Sequence, residues 1–217
     1  MLDSTELQLI PRQLPNLGVV EGMLPKDIMD NIWKLVKEAK KKPQNMKSEL
    51  AGNINSSIRL DTQSPFLADF MQDILPAFIN NHIQSYGAPW RATMQKDDRW
   101  NLESFWVNFQ KKHEFNPPHD HDGLFSFVIW MKIPTSFEEQ RKLPIAVDSN
   151  SDRLISNFTF IYTDILGNIK NFAYNMEKEA EGYMVMFPSQ LLHQVFPFYE
   201  NKGERISISG NIDIKGV

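Results

Sequence analysis

A series of short runs of β-forming residues extends from about residue 104 to residue 212 and limits the folds that this chain can adopt. Pro, Gly, Asn and Asp bound the runs and no helical periodicity lies between them, so the pattern predicts strands joined by turns. The predicted strands are residues 104–110, 124–133, 157–162, 169–174, 183–187, 194–198 and 205–212. Strands at this density favour an antiparallel sandwich or jelly roll.

The part of the chain before residue 88 has a different pattern, which predicts two helices. Apolar residues recur at helical spacing in residues 24–42 and again in residues 64–85, and each segment carries a Pro suited to a first turn. Pro76 is expected to kink the second helix. The polar, Gly-containing stretch at residues 45–61 predicts a connecting loop.

These two patterns define the predicted organisation of the chain. A length of 217 residues favours one structural domain. Residues 1–87 are expected to form a helical support region that packs on a β core formed by residues 88–217. The fold class is therefore mainly β with flanking helices, α+β. A polar, Pro-containing segment at residues 134–152 predicts a mobile loop at the mouth of the sandwich.

Composition excludes several kinds of site. The chain has no Cys, which excludes a disulfide, a thiolate nucleophile and a Cys-bound metal, so any metal needs His and carboxylate ligands. A net charge of −4 does not favour a nucleic-acid partner bound through its phosphates. No apolar run approaches the roughly 20 residues of a membrane helix, and the N-terminus is acidic, so we expect a soluble, cytoplasmic protein without a membrane partner.

Two of the five His residues lie together in the segment NPPHDHDG, at His119 and His121. In an extended segment, residues two apart point to the same side, which places these imidazoles side by side and puts Asp120 and Asp122 on the other face. The Pro pair before them and the Asp-Gly after them place the cluster where a strand meets a turn. The pattern suits a metal site, and a solvated polar turn is the alternative.

A second polar set follows near the end of the chain. His193 lies between two apolar strands and is either a ligand or a hydrogen-bonded core histidine. Arg205 and Ser207 share one face of the last predicted strand, where a guanidinium beside a hydroxyl suits a carboxylate. A surface charge on an edge strand is the alternative for Arg205.

Taken in order, these motifs resemble those of the iron(II)/2-oxoglutarate-dependent oxygenases. The segments NPPHDHDG, SFVIWMKIP, FPSQLLHQVFPFY and RISISGNI are similar in particular to oxygenases of tailed phages, cyanophages especially, over residues 100–214. The resemblance implies a double-stranded β-helix, the cupin-like jelly roll, whose open end holds Fe(II) and 2-oxoglutarate and receives O2, with ascorbate as an optional reductant.

The resemblance also implies roles for single residues. His119 and His193 match the family's two metal-binding histidines, and the position of its carboxylate ligand is occupied here by His121. Either His121 is the third ligand, which its spacing favours, or Asp122 supplies a carboxylate. The catalytic and metal-binding set is thus His119, His121 and His193.

The co-substrate set comes from the same resemblance. Arg205 and Ser207 match the family's Arg-x-Ser, which binds 2-oxoglutarate. Asn108 is expected to reach the co-substrate, with Trp106 as a wall of the pocket. Ser126 and Trp130 are weaker candidates, since core packing accounts for a buried Trp.

The implied activity is a dioxygenase, an oxidoreductase that couples decarboxylation of 2-oxoglutarate to succinate and CO2 with hydroxylation of a substrate. Two other functions stay open: a three-His, cupin-like dioxygenase that does not use 2-oxoglutarate, and a non-catalytic jelly-roll binding or virion structural module. The substrate is open among a protein side chain, a nucleobase and a small molecule, and the oligomeric state is open too. If the protein is phage-encoded, its location is the host cytoplasm.

Overall fold

The structure, a computed structural model, describes residues 10, 16–87, 100–147 and 154–214. Ten strands and three α-helices follow one another along these residues. Their bounds are β1 (Val20–Met23), α1 (Lys26–Ala39), β2 (Ser57–Arg59), α2 (Leu75–Tyr86), β3 (Trp100–Gln110), β4 (Asn116–His119), β5 (Phe125–Lys132), α3 (Phe137–Gln140), β6 (Phe158–Thr163), β7 (Ile169–Tyr174), β8 (Tyr183–Pro188), β9 (His193–Val195) and β10 (Arg205–Ile214).

The strands form two antiparallel sheets that pack face to face. The large sheet has the order β1-β8-β5-β10-β3-β2, and the small sheet has the order β4-β9-β6-β7. Strands that are distant in sequence are neighbours in both sheets, as in a jelly roll. The predicted mainly β class, with a jelly-roll core and helices before it, is confirmed. All seven predicted strands are present, while the short strands β1, β2 and β4 were not predicted.

The two N-terminal helices cover the outer face of the large sheet. The apolar stripe of helix α1 is buried and consists of Ile28, Ile32, Leu35 and Val36. These side chains form one apolar cluster with the side chains on the outer face of the large sheet. Burial of this stripe accounts for the helix predicted at residues 24–42.

The second predicted helix is less regular than its spacing suggests. A 3₁₀ turn at Pro65–Leu67 and a π-helical stretch at Phe70–Ile74 precede α2, which carries Pro76 in its first turn. A widened turn accommodates a residue that lacks a backbone N–H. Gly87 ends α2 with φ of +83° and donates its N–H to the carbonyl oxygen of Ile83 over 2.9 Å.

Residues before position 88 also supply β1 and β2 to the two edges of the large sheet, in addition to the helices.

No helix among the described residues is long and apolar enough to cross a membrane.

The alternation of side chains along the central strands creates two different interiors. In β5, Phe125, Phe127 and Ile129 face the helices, whereas Ser126 and Trp130 face the space between the sheets. The space between the sheets is apolar only in part, with a cluster of Val128, Trp130, Ile133, Phe158, Phe160, Met176, Val185 and Phe187. The remainder is lined by polar side chains, and it forms the cavity described next.

Candidate active site

A cavity of about 200 Å³ lies between the two sheets and opens to solvent at one end. All six residues of the expected catalytic and co-substrate set line it: His119, His121, His193, Arg205, Ser207 and Asn108. The jelly roll therefore brings together residues that are up to 99 positions apart, from Asn108 to Ser207 (207 − 108 = 99).

Three imidazoles converge at the open end. Residues His119 and His193 are direct partners in the pairing of β4 with β9, and their ring centroids are 4.3 Å apart. The ring of His121 lies 5.0 Å from that of His119 and 5.1 Å from that of His193. One nitrogen of each ring lies within 4.8 Å of the others, which is the convergence that a single metal ion needs.

Hydrogen bonds to the backbone orient two of these rings. The Nδ1 of His119 is 2.7 Å from the carbonyl oxygen of Pro117, and the Nδ1 of His193 is 2.9 Å from that of Leu191. A carbonyl oxygen only accepts, so Nδ1 carries the proton in both rings and Nε2 keeps its lone pair. This tautomer leaves Nε2 free to bind a metal.

Burial keeps the three imidazoles neutral. Burial, together with the neighbouring His119, lowers the pKa of His193 to about 3 and that of His121 to about 4. Burial also lowers the pKa of His119. Metal binding requires neutral imidazole, so protons compete weakly for this site at neutral pH.

The carboxylates of the same motif do not join the cluster. Asp122 is exposed, does not line the cavity and is not part of the convergent group among the described residues. Asp120 is also exposed, and it lies at the mouth of the cavity. The geometry thus favours His121 over Asp122 as the third ligand.

Arg205 lies at the other end of the cavity and is only 2% exposed. Its Nη2 donates to the carbonyl oxygen of Ser156 over 2.8 Å and to the Ser156 hydroxyl over 2.6 Å, and its Nη1 is 3.4 Å from Oε1 of Gln110. The guanidinium carbon lies 5.2 Å from the ring centre of Phe198.

This cation lacks an anionic partner. Its Nε has no hydrogen-bond acceptor, and no Asp or Glu among the described residues pairs with it. Burial lowers the pKa of Arg205 to about 9, so it remains charged at neutral pH. A buried, unpaired guanidinium beside a cavity has the charge and the donors that suit a carboxylate.

Comparison with known proteins agrees with this site. A family model described as "Putative 2OG-Fe(II) oxygenase" matches residues 104–211, about half of the chain. The chain belongs to the Fe(II)/2-oxoglutarate-dependent oxygenase superfamily. It is an oxidoreductase, and the superfamily's cofactors are Fe(II), 2-oxoglutarate and O2. No curated protein matches it.

Solved structures of oxygenases share the fold of this chain at low sequence identity. A prolyl-4-hydroxylase from Pseudomonas putida is 16% identical with a TM-score of 0.53, over 92% of this chain and 94% of that one. A prolyl hydroxylase from Trichoplax adhaerens, in complex with a peptide fragment of the hypoxia inducible factor oxygen degradation domain, is 9% identical with a TM-score of 0.51, over 91% and 82%. An oxidoreductase of the 2OG-Fe(II) oxygenase family from Burkholderia pseudomallei is 13% identical with a TM-score of 0.50, over 90% and 85%.

The residues of this oxygenase fit the superfamily's metal and co-substrate. Three neutral imidazoles, two of them with a free Nε2, are ligands that iron accepts, and the set lacks the carboxylate of the usual two-His, one-carboxylate arrangement. The unpaired Nε of Arg205 is a donor that would suit a carboxylate of 2-oxoglutarate.

The other expected residues lie around these two groups. Trp106 is buried and packs against His121 at 5.8 Å between ring centres. Asn108 accepts a hydrogen bond from the Ser57 hydroxyl over 2.7 Å and pairs across the sheet with Ser207. Ser126 donates to Asn211 over 2.9 Å, so it supports the cavity wall.

The loop that covers the cavity mouth is not the one expected from the sequence. Residues 134–147, the described part of the expected mouth loop, include helix α3 and do not line the cavity, so the prediction is wrong for these residues. Residues 148–152 of the expected loop lie outside the described residues. Residues 47–54 line the mouth instead. Phe137 and Gln140 are buried against the body of the protein, which explains why the 134–147 segment stays away from the mouth.

A buried carboxylate fastens this covering loop. Oε1 of Glu114 accepts from the side-chain amide of Asn55 over 2.6 Å and from its backbone N–H over 3.2 Å, while Oε2 accepts from the N–H of Lys111 over 2.8 Å. The backbone of Asn53 also donates to Phe115 over 2.8 Å. The sequence carries no motif for these contacts, because they join segments about 60 residues apart.

Proposed function

We propose that this oxygenase holds Fe(II) on His119, His121 and His193, binds 2-oxoglutarate through Arg205 and Ser207, and hydroxylates its substrate. The observation that carries the proposal is the pairing, in one cavity, of three convergent neutral imidazoles with a buried guanidinium that has no anionic partner. When bound, Fe(II) and 2-oxoglutarate activate O2, so that the co-substrate becomes succinate and CO2 while a substrate C–H bond is hydroxylated.

The protein's own residues bind and orient. The backbone acceptors of Pro117 and Leu191 hold the rings of His119 and His193, so that their Nε2 atoms point to one position. Packing of Trp106 against His121 fixes the third ring. Preorganised ligands of this kind reduce the conformational entropy lost on binding.

Arg205 and its neighbours select a dicarboxylate. The guanidinium of Arg205 and the hydroxyl of Ser207 line the cavity and would donate hydrogen bonds to the distal carboxylate of 2-oxoglutarate, which would supply the missing anionic partner. The amide of Asn108 lies on the adjacent strand and faces the same cavity. The apolar walls formed by Phe158, Phe187 and Trp130 exclude water from the middle of the cavity.

The substrate enters at the mouth, between residues 47–54 and the turn at Asp120 and His121. This places the substrate's reactive carbon beside the three imidazoles and away from Arg205. The covering loop therefore forms the wall that a substrate meets first.

Turnover without a known substrate tests this proposal. We expect Fe(II)-dependent succinate formation from 2-oxoglutarate by the wild-type protein, measured by mass spectrometry. We expect none from His193→Ala, and we expect the wild-type rate from His113→Asn, which changes an exposed His with a φ of +69° that Asn tolerates. Retained succinate formation in His193→Ala contradicts the proposal.

The same three imidazoles also suit a cupin-like dioxygenase that does not use 2-oxoglutarate. The two functions differ at Arg205. A requirement for 2-oxoglutarate that rises sharply in Arg205→Ala supports the proposal, whereas substrate-dependent O2 consumption without any keto acid supports the cupin-like function.

A further inference from the structure

A chain of redox-active side chains leads from the cavity to the protein surface. It begins at Trp130, which lines the cavity, is 2% exposed and pairs across the sheet with Ser207. The ring of Tyr174 lies 5.2 Å from that of Trp130, and the ring of Tyr183 stacks parallel to it at 6.4 Å, with 3° between the planes.

Both tyrosines converge on one carboxylate. Oη of Tyr174 donates a short hydrogen bond to Oε2 of Glu21, and Oη of Tyr183 donates to Oε1 over 3.3 Å. Glu21 is exposed on the edge strand β1, and no Lys or Arg of the described residues forms an ion pair with it. Each carboxylate oxygen of Glu21 thus accepts a hydrogen bond from one of the two phenols.

The inner end of this chain is close to the histidines. A single ring, that of Phe158, separates His193 from Trp130, with centroid distances of 5.6 Å and 5.9 Å. Trp and Tyr lose one electron more readily than other side chains, and electrons pass efficiently between aromatic rings at such separations. Structural packing alone explains the rings, but it does not explain why two phenols share one unpaired carboxylate at the outer end.

The carboxylate supplies what tyrosine oxidation needs. A phenol that loses an electron becomes strongly acidic, so its proton needs an acceptor already in hydrogen-bond contact. Before oxidation the phenol stays protonated, because burial and the charge of Glu21 raise the pKa of Tyr174. Electron loss and proton transfer are therefore coupled at this pair.

We propose that Trp130, Tyr174, Tyr183 and Glu21 form a relay that discharges oxidising equivalents from the cavity when O2 is consumed without substrate. The inference rests on the proposed function, since O2 activation supplies the oxidant. One electron would leave Trp130 for the oxidant that O2 activation produces beside the three imidazoles, which is thereby reduced by one electron, and one electron from Tyr174 would then refill Trp130. The phenolic proton of Tyr174 moves to Glu21, leaving a neutral tyrosyl radical and a protonated carboxyl group.

A soluble one-electron reductant of the ascorbate class completes the cycle at the surface. It supplies one electron to the tyrosyl radical, and Glu21 returns the proton to the phenolate oxygen. The sum is one oxidising equivalent removed from the cavity and one reductant molecule oxidised by one electron. The relay protects the residues around the metal from oxidation.

The test in the loaded enzyme compares three proteins during turnover without substrate. These are the wild type, Tyr174→Phe with Tyr183→Phe, and Tyr162→Phe, whose tyrosine is 40% exposed on the same small sheet and makes no contact with Trp130. We expect a tyrosyl radical by electron paramagnetic resonance in the wild type and in Tyr162→Phe, and a several-fold smaller signal in the double variant. Peptide mapping is expected to show a several-fold increase in oxidised Trp130 and Met176 in the double variant.

A second experiment uses the metal-free protein. Its result therefore does not depend on whether the proposed function is correct. Azidyl radicals produced by pulse radiolysis oxidise Trp, and transient absorption follows electron transfer from Tyr to the Trp radical. The fast phase of this transfer is expected in the wild type and in Tyr162→Phe and is lost in the double variant and in Trp130→Phe. Glu21→Gln, which keeps an acceptor oxygen but is a weaker base, is expected to slow it several-fold.

An unchanged fast phase in the double variant overturns the relay, whatever the enzyme's activity. Unchanged radical yield and unchanged oxidation of Trp130 during turnover also overturn it. If iron and 2-oxoglutarate do not bind at all, the proposed function fails, while the radiolysis result still decides whether the chain transfers electrons.

Discussion

The two ends of the cavity are built in different ways. At the open end, each of two histidines donates to a carbonyl two residues before it, so His119 and His193 are oriented by their own turns. At the closed end, Arg205 depends on Ser156 and Gln110, which are 49 and 95 positions away. The open end is a set of local turns that β-pairing brings together, whereas the closed end exists only through long-range contacts.

The charges of the two ends also differ. The open end holds three groups that burial keeps neutral, and the closed end holds one cation that burial leaves without an anion. The open end is thus prepared for a cation and the closed end for an anion. This difference predicts that a mutation at one end weakens binding at that end and leaves binding at the other end unchanged.

The largest expected effect is at the open end. The substitution His193→Ala removes a direct metal ligand. Removal of a group that only supports a ligand typically lowers metal affinity by 10–100-fold, so we expect a larger fall in Fe(II) affinity here. Calorimetric titration of the metal-free protein with Fe(II) under anaerobic conditions measures it. The control His113→Asn is expected to bind as the wild type does, and equal affinity in both variants contradicts the assignment.

At the closed end, Arg205→Ala is expected to keep Fe(II) binding and to weaken 2-oxoglutarate binding by about 100-fold, or about 3 kcal/mol, the scale for removing one partner of a buried charge pair. Arg205→Lys keeps the charge but not the fork of donors, so it is expected to recover part of the loss. Separate titrations with Fe(II) and 2-oxoglutarate distinguish the two ends. Loss of metal binding in Arg205→Ala would show that the ends are not independent.

Acid is expected to weaken the metal-free protein through its open end. The unfolded chain takes up protons at the ordinary histidine pKa of about 6.5, whereas folded His193 does so only near 3, so stability falls as the pH drops below about 6.5. At pH 5 the loss from His193 alone is about 2 kcal/mol. Denaturant unfolding at pH 7 and at pH 5 measures this loss of unfolding free energy. The variant His193→Gln is expected to show a smaller difference between the two pH values. A difference as large as that of the wild type would contradict the role of His193.

The covering loop gives the smallest expected effect. The substitution Glu114→Gln places an amide N–H against the N–H of Lys111. Because one donor then lacks an acceptor, the free energy that holds residues 47–54 in place is expected to fall by about 1–3 kcal/mol. We expect faster proteolysis within residues 47–54 and unchanged Fe(II) affinity. The matched control is Glu49→Gln, an exposed residue of the same loop, which is expected to behave as the wild type does.

The local construction of the open end explains why the sequence could identify its three histidines as candidates. His119 and His121 are two residues apart in an extended segment, so one motif identified both, and the structure places them with His193. Asp122 belongs to the same motif, but it lies in the turn and is exposed. The strand pattern likewise predicted the jelly roll, because alternation of side chains is a local property.

The closed end and the mouth could be predicted only in part. Arg205 and Ser207 stood out as polar residues on one face of an apolar strand, whereas Ser156 and Glu114 act through contacts that no local pattern encodes. The loop at the mouth was predicted as a loop but not as part of the site. Its position depends on the buried carboxylate of Glu114, which looks like any surface charge in the sequence.

The most direct test of the account is an anaerobic optical titration of the Fe(II)-loaded protein with 2-oxoglutarate. A keto acid that binds iron through two oxygens gives a weak visible charge-transfer band. We predict this band in the wild type, its appearance only at much higher 2-oxoglutarate in Arg205→Ala, and its absence in His193→Ala. A wild-type protein that binds Fe(II) but develops no band at saturating 2-oxoglutarate would contradict the claim that the two ends of this cavity hold one iron ion and one dicarboxylate.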